Sequence, residues 1–108
     1  GLGDVYKAAS EDLSNLDEKT FLDIFEGVPN INISFDEIKQ PSLVQEFLYK
    51  AKFLSSKSEI IRALKQNSIS INKEKVDSSY SISKENLICN KYILAQRGKK
   101  NYFLISFN

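Results

Sequence analysis

The sequence predicts an α+β domain, with helices at the front and a small antiparallel sheet behind. Apolar residues recur at helical spacing in the N-terminal segment and in two central segments. Alternating apolar and polar residues predict short strands at 28–34 and 69–76. Two longer strand-like segments, Lys91–Gln96 and Asn101–Phe107, close the chain on either side of a basic turn.

Composition limits the class of protein before any motif is considered. The chain has 108 residues, of which 42% are hydrophobic and 27% charged, as expected for one globular domain with a modest core. No apolar run approaches the ~20 residues that a membrane helix needs, and the start lacks the pattern of a signal peptide. Because the chain contains no Met, we expect it to be processed or cut from a longer protein.

The chain is also poor in two residue types that carry much of protein chemistry. There is no His, which removes the commonest general base and the commonest zinc ligand. The single Cys89 cannot form an internal disulfide, which favours a reducing, cytoplasmic compartment. The adjacent carboxylates Asp17-Glu18 and Asp36-Glu37 lie on different faces and predict solvated side chains. We therefore predict a domain without catalysis, metal or cofactor.

Charge is distributed unevenly along the chain. Residues 1–40 contain nine acidic and three basic side chains, a balance of −6, whereas residues 41–108 contain twelve basic and five acidic ones, a balance of +7. We predict an acidic helical subregion over 1–40 and a nucleic-acid-facing part over 41–108, since such a split is typical of proteins with one nucleic-acid-facing part. Chance clustering on a solvated surface remains the alternative.

The N-terminal elements follow from local patterns. Val5–Leu13 predicts one or two helical turns, and Leu16–Phe25 predicts a helix that Gly27 ends. The alternation in Val28–Ser34 predicts a short strand, and Ser34 with Glu37 predicts a capping box for the turn after it.

Two helices are predicted in the centre of the chain. Pro41 suits the first position of a helix whose apolar stripe runs from Leu43 to Ala51. The second helix opens at the capping box Ser56–Glu59 and ends at Asn67, which tolerates a left-handed conformation. Its apolar face contains Ile60, Ile61 and Leu64, and its opposite face contains Ser58, Arg62, Lys65 and Gln66.

A hairpin and a basic turn complete the predicted surface. Asn72-Lys73 is predicted to connect two short strands, and Arg97–Lys100 to connect the two long ones. Free amides at a helix N-terminus bind phosphate, and Lys or Arg side chains neutralise it with release of counterions. The candidate RNA-binding residues are Ser56, Lys57, Ser58, Arg62, Lys65, Gln66, Asn72, Lys73, Arg97, Lys99 and Lys100.

Each of these features also has a purely structural interpretation. Ser56–Glu59 caps a helix in either case, and a Lys-rich turn is often only solubilising. Tyr92 and Tyr102 could stack on an exposed base, but cross-strand packing is the favoured prediction for both.

The helix–helix–hairpin pattern resembles the RNA-binding domain named after ribosomal protein S-four, also called the αL motif. That family has a leucine-rich first helix, a second helix opening at Ser-Lys/Arg-Ser and a strand ending in Val-Asn-Gly. This sequence departs from the pattern at Ile61, where the family often has Arg, and at Lys73, where it usually has Gly. The matching residues are Leu43–Ala51, Ser56-Lys57-Ser58, Arg62, Lys65 and Ile71-Asn72-Lys73.

The flanking segments Gly27-Val28-Pro29 and Arg97–Ile105 are similar to the C-terminal domain of bacterial tyrosyl-tRNA synthetases. The resemblance implies a non-catalytic domain that binds tyrosine tRNA, attached to a catalytic portion that uses ATP and forms a homodimer. Two alternatives stay open. One is an RNA-binding module of a pseudouridine synthase or a ribosome-associated protein, and the other is a protein-docking domain with an incidental basic face.

Overall fold

The computed structural model describes residues 16–99 and 101–108. Its helices are α1 (Glu18–Ile24), α2 (Val44–Lys50) and α3 (Lys57–Lys65), with short 3-10 helices at Phe35–Ile38 and Lys84–Asn86. Its strands are β1 (Asn30–Ile33), β2 (Ser42–Leu43), β3 (Ile69–Ile71), β4 (Glu74–Lys75), β5 (Ser81–Ile82), β6 (Tyr92–Arg97) and β7 (Asn101–Phe107). The predicted α+β class is confirmed, and the predicted helix at Val5–Leu13 lies outside the described residues.

A five-stranded sheet in the order β1-β7-β6-β3-β4 forms the centre of the domain, and β2 and β5 form a separate two-stranded sheet. The sheet is antiparallel as predicted, except that β1 runs parallel to β7 and pairs Asn30 with Leu104 and Ile33 with Phe107. The division of the chain at residue 40 stays a prediction, although the sheet takes an edge strand from before that position.

The sheet is covered on both faces, because side chains alternate along β6 and β7. Ile93 and Ala95 of β6 point into the larger core, which α2 and α3 cover. Tyr92 and Leu94 point into a second core, where Phe21 of α1 packs 5.2 Å from the Tyr92 ring, centroid to centroid. The prediction that Tyr92 and Tyr102 pack rather than stack on bases agrees with their exposure of only 4% and 5%.

The structure confirms the predicted orientation of α3, since Ile60 and Leu64 are buried whereas Arg62 and Lys65 are exposed. The Ser56 hydroxyl accepts a hydrogen bond from the Glu59 amide at 3.2 Å, whereas the Glu59 carboxylate accepts from Ser55 Oγ and so does not complete the predicted capping box. The buried residues of α3 are Ile60, Ala63 and Leu64. Ile61, predicted on the apolar face, is only half-buried, because the helix turns about 100° from one residue to the next.

The prediction that Pro41 begins α2 is wrong. Ser42 and Leu43 pair with β5, and the Val44 amide still donates to the carbonyl of Tyr80 at 2.8 Å. The backbone is therefore extended up to Leu43, and the helix begins at Val44. Leu43, predicted within the buried stripe, is 44% exposed.

The prediction that Asp17 and Glu18 are solvated agrees with the structure, in which both are exposed, but each also forms a hydrogen bond within the protein. The Asp17 carboxylate caps α1 by accepting from the Thr20 amide at 2.9 Å, and hydrogen bonds from the Thr20 side chain and then from this amide lower the pKa of Asp17. Glu18 accepts a hydrogen bond from the Tyr92 hydroxyl at 2.8 Å, which ties α1 to β6. Burial, followed by this hydrogen bond, raises the pKa of Tyr92 to about 12.

The two faces of α3 give the first prediction. Leu64→Ala should lower the free energy of unfolding by about 2–5 kcal/mol, because it leaves a cavity in the larger core. Lys65→Ala, one residue further along, should leave stability nearly unchanged because its side chain is exposed. Thermal melts of both variants test this. Equal destabilisation by the two substitutions would mean that α3 faces the opposite way.

Candidate nucleic-acid interface

The outer face of α3 presents two cations to solvent. Arg62 and Lys65 are exposed, and together with Ser58 and Ile61 they line a shallow depression of about 270 Å³. Within residues 16–99 and 101–108, neither Arg62 nor Lys65 forms a salt bridge. Both charges are therefore available to an anionic partner without the cost of breaking an internal pair.

The N-terminus of α3 is already engaged with the rest of the protein. The Ser56 hydroxyl caps the helix, and the Lys57 ammonium forms an ion pair with the Glu46 carboxylate of α2. A phosphate that contacts Lys57 would have to compete with Glu46. Ser58 is exposed and has no such partner among the described residues.

The end of α3 adjoins the turn between β6 and β7. The Ser68 hydroxyl donates to the Ala63 carbonyl at 2.9 Å, and the Ser68 carbonyl accepts from the Gly98 amide at 2.7 Å. Gly98 has a φ of +69°, which a glycine adopts without strain. The structure thus brings together the two basic segments that the sequence predicted separately, one on α3 and one on this turn.

Side chains around this junction differ in their availability. Gln66 ends α3 and is exposed, as is Lys99, whereas Arg97 is half-buried beside Ile69 of β3. Lys100 lies outside the described residues. Lys75, which sequence analysis missed, donates to the Asn67 carbonyl at 2.6 Å and so places a further cation at the end of α3. Its only sequence signal was its position directly after the predicted hairpin turn.

Asn72 shapes the β3–β4 turn through its side chain. Asn72 and Lys73 have φ values of +51° and +73°, as the type I′ turn of a two-residue hairpin requires. The Asn72 side chain accepts from the Leu94 amide at 2.9 Å and donates to the Asn86 carbonyl at 2.6 Å. The side-chain oxygen and nitrogen of Asn72, which were predicted to contact RNA, are therefore already hydrogen-bonded within the protein.

Lys73 lies against the sheet rather than extending into solvent. Its ammonium group donates to the Tyr102 hydroxyl at 2.6 Å and lies 4.6 Å from the centroid of the Tyr102 ring. Burial raises the pKa of Tyr102, which keeps this hydroxyl protonated. Lys73 therefore covers an aromatic residue of the second core, in addition to any role it has at the surface.

Sequence analysis also missed a groove where α2 leads into α3. An exposed tyrosine, two lysines and an apolar floor surround it. Sequence analysis assigned no role to Tyr49 or Lys50, because helical spacing gives no sign of a groove at the junction of two helices. Its lining residues are Tyr49, Lys50, Lys52, Phe53, Leu54 and Ser55.

The described residues form neither a metal-binding cluster nor a membrane-spanning helix. In the part of the chain that the structure describes, no three His, Cys, Asp or Glu side chains come together as ligands for a metal ion. No described helix combines the length and the apolar character needed to cross a bilayer.

Comparison with known proteins places the chain in one family. A family model described as the tyrosine–tRNA ligase SYY-like C-terminal domain matches residues 20–105. The tyrosine–tRNA ligase of Flavobacterium psychrophilum is 44% identical over 100 residues, which cover 92% of this chain and 23% of that protein. The ligase of Cytophaga hutchinsonii is 40% identical over 105 residues, covering 94% of this chain and 25% of that protein. The chain thus spans about a quarter of the length of the curated relatives it matches.

The role of Asn72 gives the second prediction. Asn72→Gly keeps the left-handed backbone but removes both side-chain hydrogen bonds and leaves the buried Leu94 amide unsatisfied. We expect the free energy of unfolding to fall by about 1–3 kcal/mol in denaturant titrations. The matched control is Asn67→Gly, at a φ of +55° with an exposed side chain, which should cost nothing. If the two variants are equally stable, the Asn72 side chain does not stabilise the fold and is again a candidate contact to RNA.

Proposed function

Since the chain belongs to the tyrosine–tRNA ligase SYY-like C-terminal domain family, we propose that it binds transfer RNA, with tyrosine tRNA as its specific partner. The proposal rests on the exposed Arg62 and Lys65 of α3, which form no salt bridge with the described residues and lie on the helix whose end adjoins the β6–β7 turn with Lys99. Cations held on rigid helices release counterions when they contact a phosphate backbone, which supplies most of the affinity of such surfaces.

The tertiary arrangement supports a rigid docking surface. α3 is held from below by its buried residues, at its start by the Ser56 cap and the Lys57–Glu46 pair, and at its end by the contact of Ser68 with Gly98. Several acidic side chains lie on and around α1, which covers the other face of the sheet, whereas the two carboxylates near the start of α3, Glu46 and Glu59, are engaged with Lys57 and Ser55. A polyanion is therefore attracted to α3 rather than to α1.

The proposal extends to the parent protein. In it, a catalytic portion outside this chain activates tyrosine with ATP and forms a homodimer in the cytoplasm, while this domain holds the tRNA and takes no part in the chemistry. The module of a pseudouridine synthase or ribosome-associated protein is the weaker candidate, because the family match extends over both the N-terminal α1 and the final strand.

The third prediction concerns salt dependence. Changing Arg62 and Lys65 together to Gln should lower the slope of log affinity against log salt by about 2, because two phosphate contacts are lost. Filter binding with tyrosine tRNA at several salt concentrations measures it. The matched control changes Lys19 and Lys39 to Gln, which alters net charge equally on residues distant in sequence from α3. If both double variants have the wild-type slope, α3 is not in the interface; if the wild-type chain binds no tRNA, the docking-domain alternative is favoured.

The fourth prediction concerns catalysis. The chain contains no His and no Gly-rich loop able to hold phosphates. Incubated with tyrosine, ATP and labelled pyrophosphate, it should therefore show no exchange of label into ATP. Exchange by the purified chain, at a rate that scales with its concentration, would assign the activation chemistry to this domain.

A further inference from the structure

The groove between α2 and α3 is a surface feature that the proposed function leaves unused. Its volume is about 700 Å³, within the usual range for a small-ligand pocket. Tyr49 forms one wall and is 50% exposed, whereas Phe53, which also lines the groove, is buried. An aromatic ring with an open face beside cations is the arrangement that proteins use to stack an unpaired base.

The floor of the groove is fixed by the core beneath it. Phe53 is 3% exposed, and its ring packs edge-on against Phe103 of β7 at a centroid distance of 4.9 Å. The Phe53 amide donates to the Leu48 carbonyl at 3.0 Å, which sets the direction of the chain as it leaves α2. A ligand would therefore meet a preformed surface and would not have to order a loop.

The rim of the groove carries a cation at an unfavourable backbone position. Lys52 has a φ of +58°, a conformation in which glycine is free of strain and a side chain is not. Lys50, the other lysine of the rim, pairs with Glu37 at 3.3 Å. Lys52 is exposed and has no acidic partner among the described residues. Lys52 thus combines a strained backbone with a charge that forms no ion pair with the described residues.

We propose that this groove binds one unpaired nucleotide of an RNA, with the base stacked on Tyr49 and the adjoining phosphate held by Lys52. The lining contains two lysines and no carboxylate, which favours a phosphate-bearing occupant over a basic peptide. Ser55 lines the groove directly before the Ser56 cap, so the groove and the basic face of α3 belong to the same pair of helices. The inference rests on the proposed RNA binding and deepens it.

The test uses three variants of the chain and two probes. The probes are a short single-stranded RNA carrying a fluorescent adenine analogue, whose emission falls on stacking, and a blunt RNA duplex with no unpaired base. Tyr49→Ala should weaken binding of the single strand about tenfold and abolish the quenching, since stacking contributes roughly that much per base. Tyr49→Phe should bind and quench as the wild type does, because it keeps the ring. Both should bind the duplex normally.

Lys52→Gly tests the phosphate contact without endangering the fold. Glycine suits the left-handed backbone, so the melting temperature should not fall, while the salt slope for the single strand should drop by about 1. Wild-type binding and quenching by Tyr49→Ala would overturn the proposal, as would equal losses in Tyr49→Phe and Tyr49→Ala. If these variants behave as wild type while the Arg62 and Lys65 double variant loses tRNA, only the groove assignment fails; if the wild type binds no RNA, both proposals fail.

Discussion

The domain depends on one constraint, which is that the β6–β7 hairpin is buried on both faces. Alternation along these strands sends Ile93 and Ile105 into one core and Leu94 and Leu104 into the other. A sheet with two apolar faces needs a layer on each side, and α1 on one face and the α2–α3 pair on the other supply them. Because the apolar face of α3 packs on the larger core, its polar face points into solvent. The position of the basic surface therefore follows from the core.

This arrangement separates stability from binding within one short helix. Leu64 and Lys65 are adjacent in sequence, yet one is in the core and the other is in solvent. The loop after α3 then returns the chain to the sheet, and the Ser68–Gly98 hydrogen bond joins the end of the helix to the β6–β7 turn. One backbone contact thus aligns basic segments that are about thirty residues apart in sequence, which no local pattern could indicate.

Sequence analysis succeeded where the determinants are local and failed where they are not. The Ser56 cap, the turn at Asn72-Lys73 and the strand Asn101–Phe107 each follow from neighbouring residues, and the structure has all three. The predicted start of α2 was wrong because the Val44 amide donates a hydrogen bond to the carbonyl of Tyr80, far along the chain, and this bond keeps the backbone extended up to Leu43. The candidate site shows the same limit. Charge predicted Arg62 and Lys65 as exposed cations, but not that Glu46 pairs with Lys57 or that Tyr102 lies under Lys73.

Two lysines with left-handed backbones, Lys52 and Lys73, differ in the contacts that their side chains make. Both Lys52 and Lys73 occupy positions where glycine would be free of strain, so each side chain should contribute something that glycine cannot. For Lys73 the contribution is visible, because its ammonium group bonds to Tyr102 and covers its ring. For Lys52 the described residues offer no comparable internal partner, and the groove beside it presents an open aromatic wall. The same left-handed backbone therefore has a side-chain contact within the protein at Lys73, whereas at Lys52 it ends α2 and leaves the side chain to the nucleotide that we propose for the groove.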